Sequence, residues 1–299
     1  MVMLCTRVGW GVPASLGGER AQVHVLVAKR IKPYIEALSG LSQVISETSP
    51  NDVRHYFLDE IPEKGVPTLL DEICSVNSAA WVGIGPESLE FIKTHEAGYA
   101  GVTVYAMVLN PEQIGEGGVA CGIPLRIPVS RQVAVIRNEL TGFSRWGLLF
   151  DPDRNTAFFS QAASAASDAG LTLVPLSVQS KKDIPAMLSA HWQQVDGVWM
   201  IPDATVISER IVQFVIKEAL IRNRGVVGYN RFFYDAGALL SFQFDYERLG
   251  RQAGTLTLSR LNGAPCGRED PEFFAVVNRR VKERILSGRA DRGPEGWEE

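Results

Sequence analysis

Cysteine is scarce: the 299-residue chain has four, at Cys5, Cys74, Cys121 and Cys266, and no two form a C-x-x-C pair. That removes the usual zinc-ribbon and dithiol-redox signatures. Nothing in the spacing pairs them, and buried free thiols are expected. Histidine is equally sparse. His24, His55, His95 and His191 are scattered and no H-E-x-x-H occurs, so no metal site is expected. No run of about 18 apolar residues exists, which argues against a membrane-spanning helix. Neither a G-x-S-x-G elbow nor a G-x-x-x-x-G-K-[ST] loop is present, so two common local signatures of enzymes are missing. Positive charge is not in excess either. Thirty Lys and Arg face 34 Asp and Glu, for a net charge of -4. A nucleic-acid partner is therefore not expected. The one basic cluster, Arg279, Arg280, Lys282 and Arg284, is interleaved with apolar residues and Glu283 and reads as a solvated helix face.

What is present is ordinary globular composition, with 45% hydrophobic and 21% charged residues, in a chain long enough for two lobes. Residues 1–20 (MVMLCTRVGWGVPASLGGER) read either as an export-signal remnant or as a tail. From Gln22 onward, short apolar β-branched runs alternate with segments of helical periodicity. Strands are predicted over residues 23–28, 54–58, 79–84 and 102–108, with helices over 32–45, 66–74 and 86–95 between them. The second half repeats the theme. Strands are predicted over 146–150, 172–176, 197–201, 226–229 and 238–242, and helices over 156–169, 183–194 and 208–223. A long helix over 246–261 and a strand over 273–277 follow. Continuous apolar strands separated by helices predict an α/β fold of two doubly wound, Rossmann-like lobes. The Gly- and Pro-rich stretch Asn110 to Pro128 reads as the first passage between them. The expected partition is a tail over 1–21, a first lobe of 22–118 with 231–263, a second of 119–230 with 264–288, and a loose end from 289.

In such folds, ligands bind at the carboxyl ends of parallel strands. Gly83-Ile84-Gly85-Pro86-Glu87-Ser88 stands there, between a strand and a helix, but lacks the third glycine of a dinucleotide fingerprint. It reads as a tight turn whose N–H groups before Ser88 also suit a small carboxylate. Asp151-Pro152-Asp153-Arg154-Asn155-Thr156 carries turn and cap chemistry, and its Asn155 and Thr156 suit an anionic group. Asp203 follows the strand predicted over 197–201, as either a cap or a carboxylate for a ligand ammonium. Tyr229 and Asn230 follow the strand after that, as cleft or hinge residues. Trp81, Trp146 and Trp199 lie within strands and read as core.

These residues carry a resemblance. Leu149-Phe150-Asp151-Pro152-Asp153-Arg154-Asn155-Thr156 is similar to a Y-x-P-x-x-x-N-S-like helix start. Asp196-Gly197-Val198-Trp199-Met200-Ile201-Pro202-Asp203-Ala204-Thr205-Val206 is similar to D-[AG]-[LV]-[WY]-x-x-x-D-x-T-V. The run Gly237 to Ala253 (GALLSFQFDYERLGRQA) is similar to G-A-L-x-S-x-x-x-D-Y-x-x-L-G-R-Q-A. From Arg145 to about Arg284 the chain thus resembles the substrate-binding proteins of ABC transporters with a type I periplasmic-binding fold. The nearest group is the one that includes tryptophan/tyrosine-type binding proteins. In the first half, Ala28-Lys29-Arg30-Ile31-Lys32-Pro33-Tyr34 resembles the family's first β-α unit, whereas Asn110-Pro111 stands where Asp-Pro is usual.

The resemblance implies a periplasmic or extracytoplasmic, monomeric protein that needs no cofactor. It would trap a small amino-acid-like, possibly aromatic, solute by hinge closure and deliver it to an ABC permease in the membrane. It implies ligand contacts from Asn155 and Thr156 to a carboxylate and from Asp203 to an amine, with Tyr229 and Asn230 lining the cleft. Ala28, Lys29, Gly85, Ser88 and Met107 are the first-lobe candidates. The alternative is a sensor of the same fold that feeds a signalling partner, and a less favoured one is an enzyme with a cleft active site. A repressor is disfavoured, because about twenty residues before the first strand are too few for a DNA-binding head.

Overall fold

A computed structural model of the chain describes residues 21–49, 51–74, 78–97, 99–115 and 121–290. The export-signal reading of residues 1–20 and the loose end beyond 290 lie outside the described residues. The first elements are β1 (Gln22–Val27), α1 (Lys32–Thr48), β2 (Asp52–Phe57), α2 (Val66–Ile73), β3 (Ser78–Ile84), α3 (Pro86–His95), β4 (Val102–Val108) and β5 (Cys121–Pro124). Then come α4 (Val129–Glu139), β6 (Arg145–Phe150), α5 (Pro152–Asp168), β7 (Thr172–Ser177), α6 (Ile184–His191), β8 (Gly197–Met200), α7 (Glu209–Ile221) and β9 (Gly225–Gly228). The last are α8 (Arg231–Asp235), β10 (Leu240–Gln243), α9 (Tyr246–Leu261), β11 (Phe274–Val277) and α10 (Arg279–Ala290).

The chain divides into two compact units, Met1–Arg126 with Asp245–Glu272, and Ile127–Phe244 with Phe273–Glu299. The first holds a fully parallel sheet in the order β2-β1-β3-β4-β5. The second holds a six-stranded sheet in the order β11-β10-β9-β8-β6-β7, parallel except for the antiparallel β10–β11 pair. In both orders the first strand of the unit lies inside, and the chain leaves it first to one side and then to the other. Both sheets are therefore doubly wound, with a topological switch point between β1 and β3 in one and between β6 and β8 in the other.

The sequence dictates the layering. In the second unit Trp146, Leu148, Phe150, Trp199 and Ile201 join the core under α4, α5 and α10. The alternate residues Leu149, Val198 and Met200 join the opposite core under α6, α7 and α8. Strands buried on both faces must be apolar throughout, which is why they read as unbroken runs. In the first unit Leu26 and Trp81 pack under α2 and α3 with Leu69, Leu70, Ile73 and Ile92. On the other face α1 and α9 pack against each other. A Cβ at Gly250 would collide with the Ala37 carbonyl, and one at Gly40 with the Glu247 carbonyl. Glycine at both positions lets the two backbones touch.

Three expectations are corrected. Residues 231–244, expected in the first lobe, lie in the second, because β10 extends its sheet between β9 and β11. The first passage falls after β5, which pairs with β4 within the stretch taken as linker, and residues 264–272 remain with the first unit. The helices α4 and α8 were not foreseen, and α10 runs on to Ala290. The expectation of free thiols also fails. Cys121 and Cys266 form a disulfide across 145 residues, and no described cysteine is free. The reason is positional. The segment after α9 runs beside the edge strand β5, with Gly122 N–H donating to the Gly267 carbonyl (3.2 Å) and Glu269 N–H to the Gly122 carbonyl (3.0 Å). This brings the two Cα atoms to 5.2 Å, a distance that no linear spacing reveals. Replacing both cysteines with serine should lower the unfolding free energy by about 2 to 5 kcal/mol, measured by urea titration.

His24 sits in β1, fully buried, with Nδ1 3.1 Å from the Tyr56 hydroxyl and Nε2 without a partner among the described residues. Burial pushes its pKa down from 6.5 to about 4, opposed by Glu72 and assisted by Arg54. The unfolded chain therefore binds the extra proton first as pH falls. The His24 contribution to stability is complete above about pH 6.5 and is lost between there and about pH 4, by about 3 kcal/mol in total. Denaturant titrations from pH 7 to 4 should show this slope in the wild type, and His24→Leu should remove it.

Candidate functional site

Two groups of candidate residues form, one at the carboxyl edge of each sheet and each at its switch point. In the first unit, β1 runs into Ala28 and Lys29, and β3 into the turn Gly85-Pro86-Glu87-Ser88 that starts α3. Ala28 N–H donates to the Ile84 carbonyl (2.9 Å) and Gly85 N–H to the Ala106 carbonyl (3.0 Å), so the ends of β1, β3 and β4 are tied together. Gly85 has φ 97°, and a Cβ there would fall 2.8 Å from the Ala28 methyl and 2.9 Å from the Tyr34 ring. Glycine is thus required twice, by backbone and by space. Met107, at the end of β4, also lies in the left-handed region at φ 63°, where the register with β5 shifts. A buried methionine in that conformation is strained, and such strain collects at functional sites.

Ala28, Ser88 and Met107 are buried, and the Ser88 hydroxyl donates back to the Ile84 carbonyl (3.2 Å). Lys29 is half exposed and meets Glu87, its Nζ 2.5 Å from Oε1. The bond to Glu87 raises the Lys29 pKa, and the same bond lowers that of Glu87, so both stay ionised. Glu87 was not foreseen. Its signal was a carboxylate in the first turn of a helix that starts at a strand's carboxyl end.

In the second unit Asn155 and Asp203 are brought into direct contact, and Asp151 and Thr205 join them. Asp203 is 2% exposed. Its Oδ2 accepts from Asp151 N–H (2.8 Å) and Asn155 Nδ2 (2.7 Å), and its Oδ1 from Thr205 N–H (2.8 Å). Asp151 in turn accepts from the Thr205 hydroxyl (2.6 Å) and caps α5 through Asp153 N–H (3.0 Å). The reach of Asn155 toward Asp203 accompanies a break in the first turn of α5, where Asn155 has φ -127° and ψ 19°. A carboxylate only accepts, so it is the amide nitrogen of Asn155 that faces it. Thr156 stands apart from this group, its hydroxyl donating to the Pro152 carbonyl (2.5 Å). Tyr229 and Asn230 are also outside it. Tyr229 packs on Phe233 with ring centres 4.9 Å apart, and burial raises its phenol pKa. The Asn230 side chain accepts from Phe233 N–H and starts α8. Among the described residues, no three His, Cys, Asp or Glu are placed to hold a metal ion.

Two doubly wound units in one chain, crossed more than once, define the type I periplasmic-binding fold. Solved structures agree. The ABC domain in complex with L-Trp from Streptococcus pneumonia aligns with a TM-score of 0.54 at 17% identity, over 90% of this chain and 95% of that one. The ligand-free, open form of a substrate-binding protein with adhesive properties from Clostridium difficile aligns at 0.72 and 13% identity, over 89% and 95%. A periplasmic ribose ABC transporter protein from Conexibacter woesei aligns at 0.59 and 12% identity, over 91% and 96%. These likenesses show the fold. The sequence model of the ABC transporter substrate binding protein family matches residues 105–282, more than half of the chain, and the protein belongs to that family. No curated protein matches the sequence.

The Asp203 group supports one prediction. Asp203→Ala removes the acceptor of three donors, the Asp151 N–H buried and those of Asn155 and Thr205 part-buried, and should lower the unfolding free energy by about 2 kcal/mol in urea titration. An Asp203 that served only as a ligand contact would leave stability unchanged.

Proposed function

We propose that this protein is the extracytoplasmic solute-binding component of an ABC transporter. In this reading it takes a small amino-acid-like molecule, aromatic by preference, at the carboxyl edges of its two sheets and holds it by closure of the two units. It then presents the molecule to a membrane permease. The observation that carries the reading is the family membership together with the placement of candidate groups at both switch points, where doubly wound sheets take ligands. Lys29, Gly85 and Met107 are the first unit's contribution, on a frame made by Ala28 and Ser88. Asn155 and Thr156, with Asp203, Tyr229 and Asn230, are the second's.

Redox chemistry supports the extracytoplasmic compartment. A disulfide such as Cys121–Cys266 persists where thiols are not kept reduced, outside the cytoplasm. Among the described residues, no helix is long and apolar enough to cross a membrane. Closure requires that the solute bind the closed form more tightly than the open one. Occupied protein should therefore be more resistant to heat. In a thermal-shift screen of the twenty amino acids, pentoses and small carboxylates, at least one aromatic amino acid should raise Tm by several degrees, since a ligand at 100 times its Kd adds about 2.7 kcal/mol. A panel that leaves Tm unchanged overturns the reading.

A further inference from the structure

The amine partner expected from the sequence, Asp203, is an awkward one. Its carboxylate is almost completely buried and is already bonded to Asp151, Asn155 and Thr205 of its own unit. Asp151 is buried too, and accepts from Thr205 and Asp153. Both carboxylates position the start of α5. At the other sheet edge the situation is reversed. Glu87 and Lys29 stand at the switch point itself, with side chains 42% and 53% exposed, and hold each other at 2.5 Å. The Tyr34 ring, half-buried against Gly85, lies beside them and feels both charges.

From this we infer that the Lys29–Glu87 ion pair is the ligand-reading element of the first unit, and that it selects a zwitterion: Glu87 takes the ammonium of an α-amino acid and Lys29 its carboxylate. The inference rests on the proposed function and names the groups that recognise the solute. Its logic is charge exchange. An exposed ion pair contributes little stability and separates cheaply. An α-amino acid carries the same two charges a few ångströms apart, so inserting it replaces one ion pair with two. A solute bearing only one of the charges leaves either Glu87 or Lys29 without a counter-charge once water is excluded, and is disfavoured. The Tyr34 ring provides an apolar face for an aromatic side chain next to the charged pair.

The test is calorimetry on the full chain with L-tryptophan, L-tyrosine and L-phenylalanine. Indole-3-propionate, which lacks the ammonium, and tryptamine, which lacks the carboxylate, are run beside them. The wild type should bind the best of the three amino acids at least tenfold more tightly than the one-charge analogues. Glu87→Gln should weaken the amino acid at least tenfold and leave indole-3-propionate unchanged. Lys29→Met should weaken the amino acid and indole-3-propionate but leave tryptamine unchanged. Circular dichroism checks that both variants fold. Both side chains are half exposed, and their loss should leave Tm without ligand within a few degrees. Amino-acid affinities within twofold of wild type in both variants overturn the inference while leaving the transport reading intact. So does a wild type that binds a pentose or carboxylate and none of the three amino acids. Failure of the whole thermal-shift panel overturns the transport reading and this inference together.

Discussion

The contact between α1 and α9 is the constraint from which the first unit is built. Helix α9 is the segment that returns to this unit after the chain has completed most of the other. It can lie on α1 only because Gly40 and Gly250 remove the side chains that would keep the backbones apart. From that docking follow the covering of β3, β4 and β5 on one face and the passage of the next segment beside β5. The meeting of Cys121 with Cys266 follows as well. Packing at a glycine contact is short-ranged and steep, and it fixes position more sharply than burial of apolar area does.

Much of the architecture was legible because it is periodic. Strands buried on both faces are apolar without alternation, and the helices between them carry their buried residues at turn spacing, as Val212, Val215, Ile216 and Ala219 do in α7. Cap chemistry at the Asp151 turn was legible too: the Asp151 side chain accepts an N–H of the helix it precedes. What failed was long-range. Whether residues 231–244 extend one sheet or begin the return to the other depends on which edge strand is vacant, and no local pattern states that. The Cys121–Cys266 bond depends on a neighbour 145 residues away. The short β5 was hidden because Cys-Gly-Ile-Pro looks like linker; Gly122 is there because a Cβ would strike Tyr105.

At the site, residue types were legible and their roles were not. Asp203, Asn155 and the Asp151 turn were all marked from the sequence, and all meet in space. Yet a sequence does not say whether a carboxylate faces solvent or its own backbone. Asp203 is enclosed by three donors of its own unit, whereas Glu87, in the helix start that read as a tight turn, is open. The same linear pattern, an acid just after a strand, serves scaffolding in one unit and stands accessible in the other. The difference lies in the donors that surround each.

The Cys121–Cys266 bond has one more effect, which is topological. It closes a covalent ring that runs from the edge of the first unit through Ile127–Phe244 and back by way of α9. Most of the second unit is therefore a segment of a ring, entered and left through chain that belongs to the first. A single backbone cut anywhere in the second unit between Ile127 and Phe244 opens the ring but frees no fragment. Under oxidising conditions the two pieces stay one molecule. Nicked chains would show their break only after reduction.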